Sequence, residues 1–245
     1  MSGPMIDEPF AREVEELVVE SWFRDPPPFL RAMAAAPTIM IAQAFVLEWT
    51  KFSRWFPRWV GAIMSNCPEF EVLAFEVENL MSEVVRDPAA QTNHYELLIR
   101  LGAGAGLHRD DIERHRPSAE SVAAFLYWDR MARQPDWLLG FTAINGLEIL
   151  GDRNLPRRHG LSQGTGLAVD PWTATGLDDD ALEFFRVSDE ADAAHGNESV
   201  EIIARYTEPG REKEVLDVLA ESIGHIRRMM GGLWELAQRL EAGAR

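Results

Sequence analysis

The residues best suited to chemistry lie late in the sequence, where polar residues interrupt an apolar helical stripe. Alternating steps of four and three residues select one face of a helix, and this face carries Ala181, Phe185, Ser188, Asp192, His195, Ser199, Ile202 and Tyr206. If Phe185 and Ile202 face a core, Asp192 and His195 are carried into the interior. A buried charge without a partner costs several kcal/mol there. We therefore expect Asp192 and His195 to share a partner such as a metal ion.

Three other segments each place one titratable residue on an apolar helix face, namely Glu83, His94 and Glu148. A lone inward acid or histidine is more often a hydrogen-bonded core residue than a ligand. Four such segments in one chain favour a shared site. Two carboxylates and an imidazole from separate helices, with an Asp and a His three residues apart on another, are typical of helical bundles that hold iron or manganese. Zinc fits less well, because its sites usually close with four His or Cys ligands.

The elements that must position these residues are predicted to be helices. Apolar residues recur every three or four positions, and no alternating run bounded by turn residues is found. Predicted helices cover about residues 8–23, 38–65, 70–86, 94–105, 118–133, 136–151, 178–206 and 212–241. The predicted fold class is therefore all-α, a bundle of seven to eight helices in a single domain that spans residues 1–245.

The glycine-rich segment 152–176 is predicted to be a long loop, and such loops often form lids or binding segments. It carries Arg153, Arg157, Arg158 and His159 in an otherwise acidic chain. These residues are either an arginine fork for a substrate carboxylate or a solvated basic loop. Trp172, on the same loop, is a candidate lid residue.

Composition excludes several classes of partner. The 245 residues include 24 Lys and Arg against 40 Asp and Glu, so the formal net charge is −16, which repels nucleic acid and anionic membranes. The longest apolar stretch, residues 33–47, is shorter than the ~20 residues that a bilayer requires. No targeting segment is visible, and the single cysteine, Cys67, fits a reducing compartment. We expect a cytoplasmic protein that binds neither nucleic acid nor membrane.

With these residues in place, the sequence resembles the haem-oxygenase-like diiron oxidase and oxygenase family, which shares its fold with haem oxygenase and with thiaminase-II and PqqC-like enzymes. The resemblance spans roughly residues 39–206. It is carried by AQAFVLEWTKFSRWFPRWVGAIMSN, NLMSE followed by NHYELLIRLGAGAGL, NGLEILG and FFRVSDEADAAH. The resemblance implies a haem-oxygenase-like bundle whose metal ligands and catalytic residues are Glu83, His94, Glu148, Asp192 and His195.

The sequence departs from the family pattern at one ligand position, because Ser188 stands where the first His of the last motif is expected. A serine hydroxyl is a poor iron ligand. Five of six ligands remain, which implies either one iron or two Fe(II) ions with the second weakly held. Glu48 on the second predicted helix is the nearest candidate for an additional metal ligand, and a surface or hydrogen-bonded Glu is an equal alternative.

The resemblance implies an iron-dependent enzyme that uses dioxygen as co-substrate to oxidise or oxygenate a small metabolite, such as an amino acid or amine, in specialised biosynthesis. The alternative is a metal-independent thiaminase-II-like or PqqC-like protein that binds a heterocycle. A third hypothesis is a non-catalytic helical protein whose inward polar residues form a buried network. Haem chemistry is disfavoured, because the first histidine is His94. A homodimer is expected from the family alone.

Overall fold

The computed structural model describes residues 7–161 and 168–244, except for the side chains of residues 189–195. Within those ranges the chain forms α-helices and contains no strand, which confirms the all-α prediction. The helices are α1 (Glu8–Val18), α2 (Pro28–Ala35), α3 (Ile39–Asn66), α4 (Phe70–Leu80), α5 (His94–Gly104), α6 (Arg109–Arg114), α7 (Ala119–Ala132), α8 (Trp137–Asn145), α9 (Asn154–Arg158), α10 (Asp179–Tyr206) and α11 (Glu212–Gly243).

Capping side chains define where most of the long helices begin. Thr38, Asn93, Ser118 and Asp178 each accept a hydrogen bond from a backbone N–H in the first turn of the helix that follows. Such caps satisfy amide groups that have no partner inside the helix. The predicted starts of α3, α5, α7 and α10 are therefore confirmed to within a residue or two.

Other boundaries differ from the prediction. The predicted helix 136–151 ends earlier, at Asn145, and continues after a turn as the 3-10 segment Glu148–Leu150. The predicted helix 70–86 is α4 followed by a π-helical turn, Met81–Val85, which carries Glu83. Short helices α2, α6 and α9 were not predicted, because five to eight residues give too few repeats for periodicity to show.

The last helix packs against the bundle along its length. Leu233 is fully buried, and Trp234 and Leu236 pack on the core cluster. Trp128 on α7 donates a hydrogen bond to Ser222 of α11, whose hydroxyl in turn reaches the carbonyl of Ala143 on α8. These contacts hold α11 against α7 and α8.

Helices α3, α5 and α10 form the frame of the site and alternate in direction. Gln43, near the start of α3, donates a hydrogen bond to the carbonyl of Ala105, just past the end of α5. Gly104 of α5 lies so close to Ala181 that an added Cβ would stand 2.5 Å from the alanine methyl group. The end of α5 therefore meets the beginnings of both α3 and α10, and α5 runs antiparallel to them.

Among the described helices, none is both long enough and apolar enough to cross a membrane.

Candidate metal centre

A cavity of about 130 Å³ lies inside the bundle, between α3, α5, α10 and the turn after α8. Its polar lining residues are Ser53, Glu83, His94, Glu148 and Ser188. Three of the predicted ligands, Glu83, His94 and Glu148, thus face one space although they are far apart in the chain. Ser188, the residue at the expected histidine position, faces the same space.

Glu83 and His94 are in direct contact. The Nδ1 atom of His94 lies 2.7 Å from Oε1 of Glu83, and Ser53 donates a 3.3 Å hydrogen bond to Oε2 of the same carboxylate. On the other side of the ring, Nε2 of His94 lies 3.0 Å from Oδ2 of Asp87. Asp87 is buried and does not line the cavity. The imidazole is therefore held between one carboxylate on the cavity side and one behind it.

These two carboxylates stabilise the protonated form of His94. Burial by itself would lower the pKa of His94, but the charge of Glu83 and the hydrogen bonds with Asp87 and Glu83 outweigh it and raise the pKa to about 10. Burial acts to raise the pKa of Asp87, yet hydrogen bonds from His94 and from the Ala89 amide lower it overall. Without a metal, the centre is thus an imidazolium between two carboxylates.

Glu148 enters the cavity from the 3-10 turn after α8, directly beside α10. An added Cβ at Gly196 would lie 3.1 Å from the carbonyl oxygen of Glu148 and 2.9 Å from Cβ of Asp152. The glycine therefore allows the α10 backbone to pass close to the Glu148 turn. Asp192 and His195 belong to this stretch of α10, and their side chains lie outside the described residues.

The rest of the predicted α10 stripe is buried where it is described, apart from Tyr206 at its end, which is half-buried. Ala181, Phe185, Ser188, Ser199 and Ile202 are each no more than 5% exposed. Helical periodicity places Asp192 and His195 between these buried positions. That Asp192 and His195 face the core stays a prediction, because their side chains lie outside the described residues.

Glu48 lies in a different part of the structure. Its buried carboxylate accepts hydrogen bonds from the backbone amide of Ser118 and from Ser121, and it lies 3.0 Å from Nε2 of His115. These contacts lower the pKa of Glu48 although burial acts to raise it. The structure does not bring Glu48 to the cavity. Its carboxylate instead anchors the N-terminus of α7.

The 152–176 segment contributes no basic residue to the cavity lining. Arg158 forms ion pairs with Glu15 at 2.7 Å and Asp152 at 3.2 Å, so its charge is already balanced. Trp172 is fully buried and stacks on Phe185 at 4.4 Å. It is a core residue of this segment and does not line the cavity, which corrects the expectation of a lid.

The remainder of the cavity lining is apolar and strongly aromatic. Phe45, Trp49 and Phe52 line it from α3, with stacked rings whose centroids are 5.2 and 4.8 Å apart along the row. Leu98 and Phe184 line it from α5 and α10, one turn from His94 and Ser188 respectively. These apolar walls surround the polar end of the cavity, where the side chains of Glu83 and His94 are 15% and 12% exposed.

A second buried acid, Glu76 of α4, lies behind the cavity. It is fully buried, and Asn145 of α8 donates a hydrogen bond to its Oε1 atom. Burial and the nearby charge of Glu148 raise the pKa of Glu76 to about 8, against the effect of the Asn145 hydrogen bond. Burial therefore favours the protonated form of Glu76.

The donor set fits iron in type. Carboxylate oxygens and imidazole nitrogens are the ligands of non-haem iron sites in helical bundles. Within the part of the chain whose side chains are described, no three acid, histidine or cysteine side chains already stand in the geometry of a metal site. A site made from Glu83, His94 and Glu148 therefore depends on further donors from α10.

Sequence reasoning missed two of the residues around this centre. In the sequence Asp87 is only the residue before a proline, Pro88, and no spacing rule signals that its carboxylate faces His94. Glu76 could have been found, because positions 76, 79 and 83 lie on the same helix face that predicted Glu83.

Comparisons with known proteins point to one family. A family model described as an iron-containing redox enzyme matches residues 43–223. A 4-aminobenzoate synthase of Chlamydia pneumoniae is 24% identical over 187 residues, which cover 72% of this chain and 76% of that protein. The 4-aminobenzoate synthase of Chlamydia muridarum is 29% identical over 89 residues, which cover 35% and 36% of the two chains.

Solved structures show the same fold. A domain of unknown function with a haem oxygenase-like fold from Shewanella denitrificans matches with a TM-score of 0.67 at 14% identity, over 97% of this chain and 94% of that chain. A TenA homologue from P. horikoshii matches with a TM-score of 0.67 at 14% identity, over 95% and 99% of the two chains. The fold is therefore haem-oxygenase-like, as the sequence predicted.

Proposed function

Because the chain belongs to the family of iron-containing redox enzymes, with the haem-oxygenase-like fold, we propose that it is an iron-dependent oxidase or oxygenase of a small metabolite. The observation that carries the proposal is the convergence of Glu83, His94 and Glu148 on one internal cavity. The similarity to proteins named 4-aminobenzoate synthase supports a role in biosynthesis.

We assign the metal to Glu83, His94, Glu148, Asp192 and His195. Fe(II) bound there would supply the activation of dioxygen, the co-substrate. Nδ1 of His94 is the nitrogen on the cavity side, so metal binding would release the proton held between this atom and Glu83. Asp87 would keep its contact with Nε2 and fix the orientation of the ring, as outer carboxylates do for metal-bound histidines.

The iron count follows from Ser188. This side chain is buried and lines the cavity at the position where the family pattern has a histidine. One iron, or two with the second weakly held, is the stoichiometry that five ligands support. Glu48 is not included as a ligand, because its carboxylate is bound to the start of α7.

Anaerobic reconstitution with Fe(II) tests the proposal. We expect one to two irons per wild-type chain, loss of tight binding in His195→Ala and Asp192→Ala with helix content retained, and higher occupancy in Ser188→His. Dioxygen consumption on exposure to air should require the bound iron. Iron binding that is unchanged in both the His195→Ala and Asp192→Ala variants would show that these residues of α10 are not metal ligands.

The alternative function, metal-independent binding of a heterocycle, is favoured by one observation, the buried Ser188 in place of a ligand. A nucleophilic cysteine in the manner of thiaminase II has no support. Cys67 is buried at the end of α3, its burial raises the pKa of the thiol, and it does not line the cavity. Reconstituted protein that holds no iron but binds a heterocycle would favour this alternative.

The organisation beyond the site is also a proposal. We infer one domain over residues 1–245 and a small-molecule substrate, with a cytoplasmic location and no nucleic-acid partner in keeping with the net charge of −16.

A homodimer stays a prediction. Phe70, Val77 and Met81 form an exposed apolar row on α4 and its extension, and this row is the surface to test by light scattering and substitution.

A further inference from the structure

The cavity is divided into a polar level and an apolar level, and the division follows from helix geometry. On α5, Leu98 follows His94 by four residues, and on α10, Phe184 precedes Ser188 by four. On α3, Trp49 precedes Ser53 by the same interval. Four residues are about one turn, or roughly 6 Å along a helix axis.

The three apolar residues lie on the same side of the polar level. Because α5 runs antiparallel to α3 and α10, the direction toward the C-terminus of α5 is the direction toward the N-termini of α3 and α10. The contact of Phe45 with Phe184, at 5.6 Å between ring centroids, joins α3 and α10 at that level. Leu30 and Met33 of α2 and Met230 of α11 also line the cavity and are apolar.

The described lining contains no lysine or arginine, and its only acids are Glu83 and Glu148 at the polar level. Arg158, one of the basic residues that the sequence offered for a substrate carboxylate, forms ion pairs with Glu15 and Asp152. A substrate with a charged group at its far end would therefore bury that charge without a partner. Burial of an unpaired charge is strongly unfavourable.

From this polarity we propose that the substrate is a small amphiphile with a single polar head, an aryl or short alkyl compound whose apolar body lies against Phe45, Trp49 and Phe184. The head occupies the level of Glu83, His94 and Glu148. The inference rests on the proposed function for the identity of that level as the metal centre. The sequence led us to expect an amino acid or an amine as the substrate. This inference excludes the amino acid, because an amino acid carries a second charged group.

Matched six-carbon ligands test the inference by calorimetry, in metal-free protein and in protein loaded anaerobically with Co(II), which avoids turnover. The tighter of hexylamine and hexanoate should bind at least about tenfold more tightly than 6-aminohexanoate, which is of similar length but charged at both ends. Equal or tighter binding of 6-aminohexanoate would overturn the inference, as would the absence of binding by both single-headed ligands.

A charge introduced among the apolar lining residues gives an independent readout. Leu30 is 8% exposed, so Leu30→Lys should add an ammonium group there and improve the affinity for hexanedioate relative to hexanoate at least about tenfold. Leu126→Lys on α7, at a leucine that is 68% exposed, is the control and should leave the ratio unchanged. An unchanged ratio in folded Leu30→Lys would contradict the inference, and if that variant does not fold, the wild-type ligand series decides.

The two proposals fail separately in these experiments. Protein that takes up no Co(II) yet prefers hexylamine or hexanoate over 6-aminohexanoate would refute the metal centre and keep the substrate class. Protein that takes up Co(II) and binds 6-aminohexanoate as tightly would refute the substrate class and keep the metal centre.

Discussion

At the scale of single residues, the centre depends on how His94 is held. Its ring has a carboxylate on each side, Glu83 toward the cavity and Asp87 behind. A metal-bound histidine needs a lone pair on the nitrogen that faces the metal, and the hydrogen bond made by the other nitrogen decides the tautomer. Asp87 requires Nε2 to carry the proton, so Nδ1 is left for the metal.

Asp87→Asn should therefore weaken metal binding. The Oδ1 atom can still accept from the Ala89 amide, as it does in Asp87 at 2.7 Å, so the amide group turns its NH₂ toward Nε2. That donor favours the tautomer with the proton on Nδ1, where the metal would bind. We expect a loss of about 10- to 100-fold in Co(II) affinity, measured by competition with a chelator, with helix content unchanged.

Asp110→Asn on α6 is the control for this change, since its side chain is 71% exposed, pairs with Arg114 and does not line the cavity. Co(II) affinity in Asp87→Asn equal to that in Asp110→Asn would show that Asp87 does not position the histidine.

Glu76 makes a second residue-scale prediction, on stability. Its pKa is raised from 4.5 to about 8, so between these values the folded state keeps a proton that the unfolded state has lost. The free energy of unfolding should therefore fall as pH rises through this window, with a contribution of up to about 1.4 kcal/mol per pH unit. Glu76→Gln retains an oxygen acceptor for Asn145 and should remove this contribution.

Urea unfolding of both proteins from pH 5 to pH 8 measures the effect. The variant should gain stability over the wild type as pH rises. Glu78→Gln, at an exposed position on the same helix, should not. Parallel curves for wild type and Glu76→Gln would mean that Glu76 is ionised in the folded protein.

At the scale of the elements, the close approach of α10 to the turn that carries Glu148 is decisive. Gly196→Ala would place a methyl group 2.9 Å from Asp152 Cβ and 3.3 Å from Ile149 Cα, closer than side chains normally tolerate. We expect a loss of about 1–3 kcal/mol in stability, as for other overpacked sites, together with weaker Co(II) binding as α10 moves away.

Gly231→Ala in α11 is the matched helix control, because an added methyl group meets no atom within 4 Å there. It should be neutral or stabilise by up to about 1 kcal/mol, owing to the better helix propensity of alanine. If Gly196→Ala behaves like Gly231→Ala in both stability and metal affinity, the packing of α10 on the Glu148 turn is looser than described.

The sequence predicts the long elements better than the way they end. The periodicity of α3 and α10 extends over 28 residues each, and polar caps such as Thr38 and Asp178 mark their starts. The π-helical turn at Met81–Val85 and the break between Asn145 and Glu148 leave no such pattern, because tertiary packing determines them. Glu83 and Glu148 nevertheless both line the cavity, since each lies within a turn of a well-predicted helix.

Side-chain partners were the part of the site that the sequence did not predict. A buried acid such as Glu48 has the same pattern in the sequence whether it faces a metal or the start of a neighbouring helix. Only the fold shows that Ser118 and Ser121 bind it. The apolar level of the cavity also draws on α2, a helix too short for its periodicity to be seen.

At the scale of the whole molecule, the bundle brings together residues that are up to 208 positions apart in the chain, from Trp22 to Met230, around one cavity with an aromatic wall. The chain has a net charge of −16, whereas the cavity lining is uncharged away from the polar level. The surface disfavours polyanionic partners. The apolar lining surrounds the polar level, where we propose the metal centre.

The central claim is that one metal centre is shared by Glu83, His94, Glu148 and α10. The most direct measurement is an anomalous-difference map at the iron absorption edge, from crystals grown without oxygen and saturated with Fe(II). The account predicts one or two peaks inside the cavity, within bonding distance of Glu83, His94 and Glu148. A map with no peak in the cavity, or with iron bound only elsewhere on the protein, would contradict it.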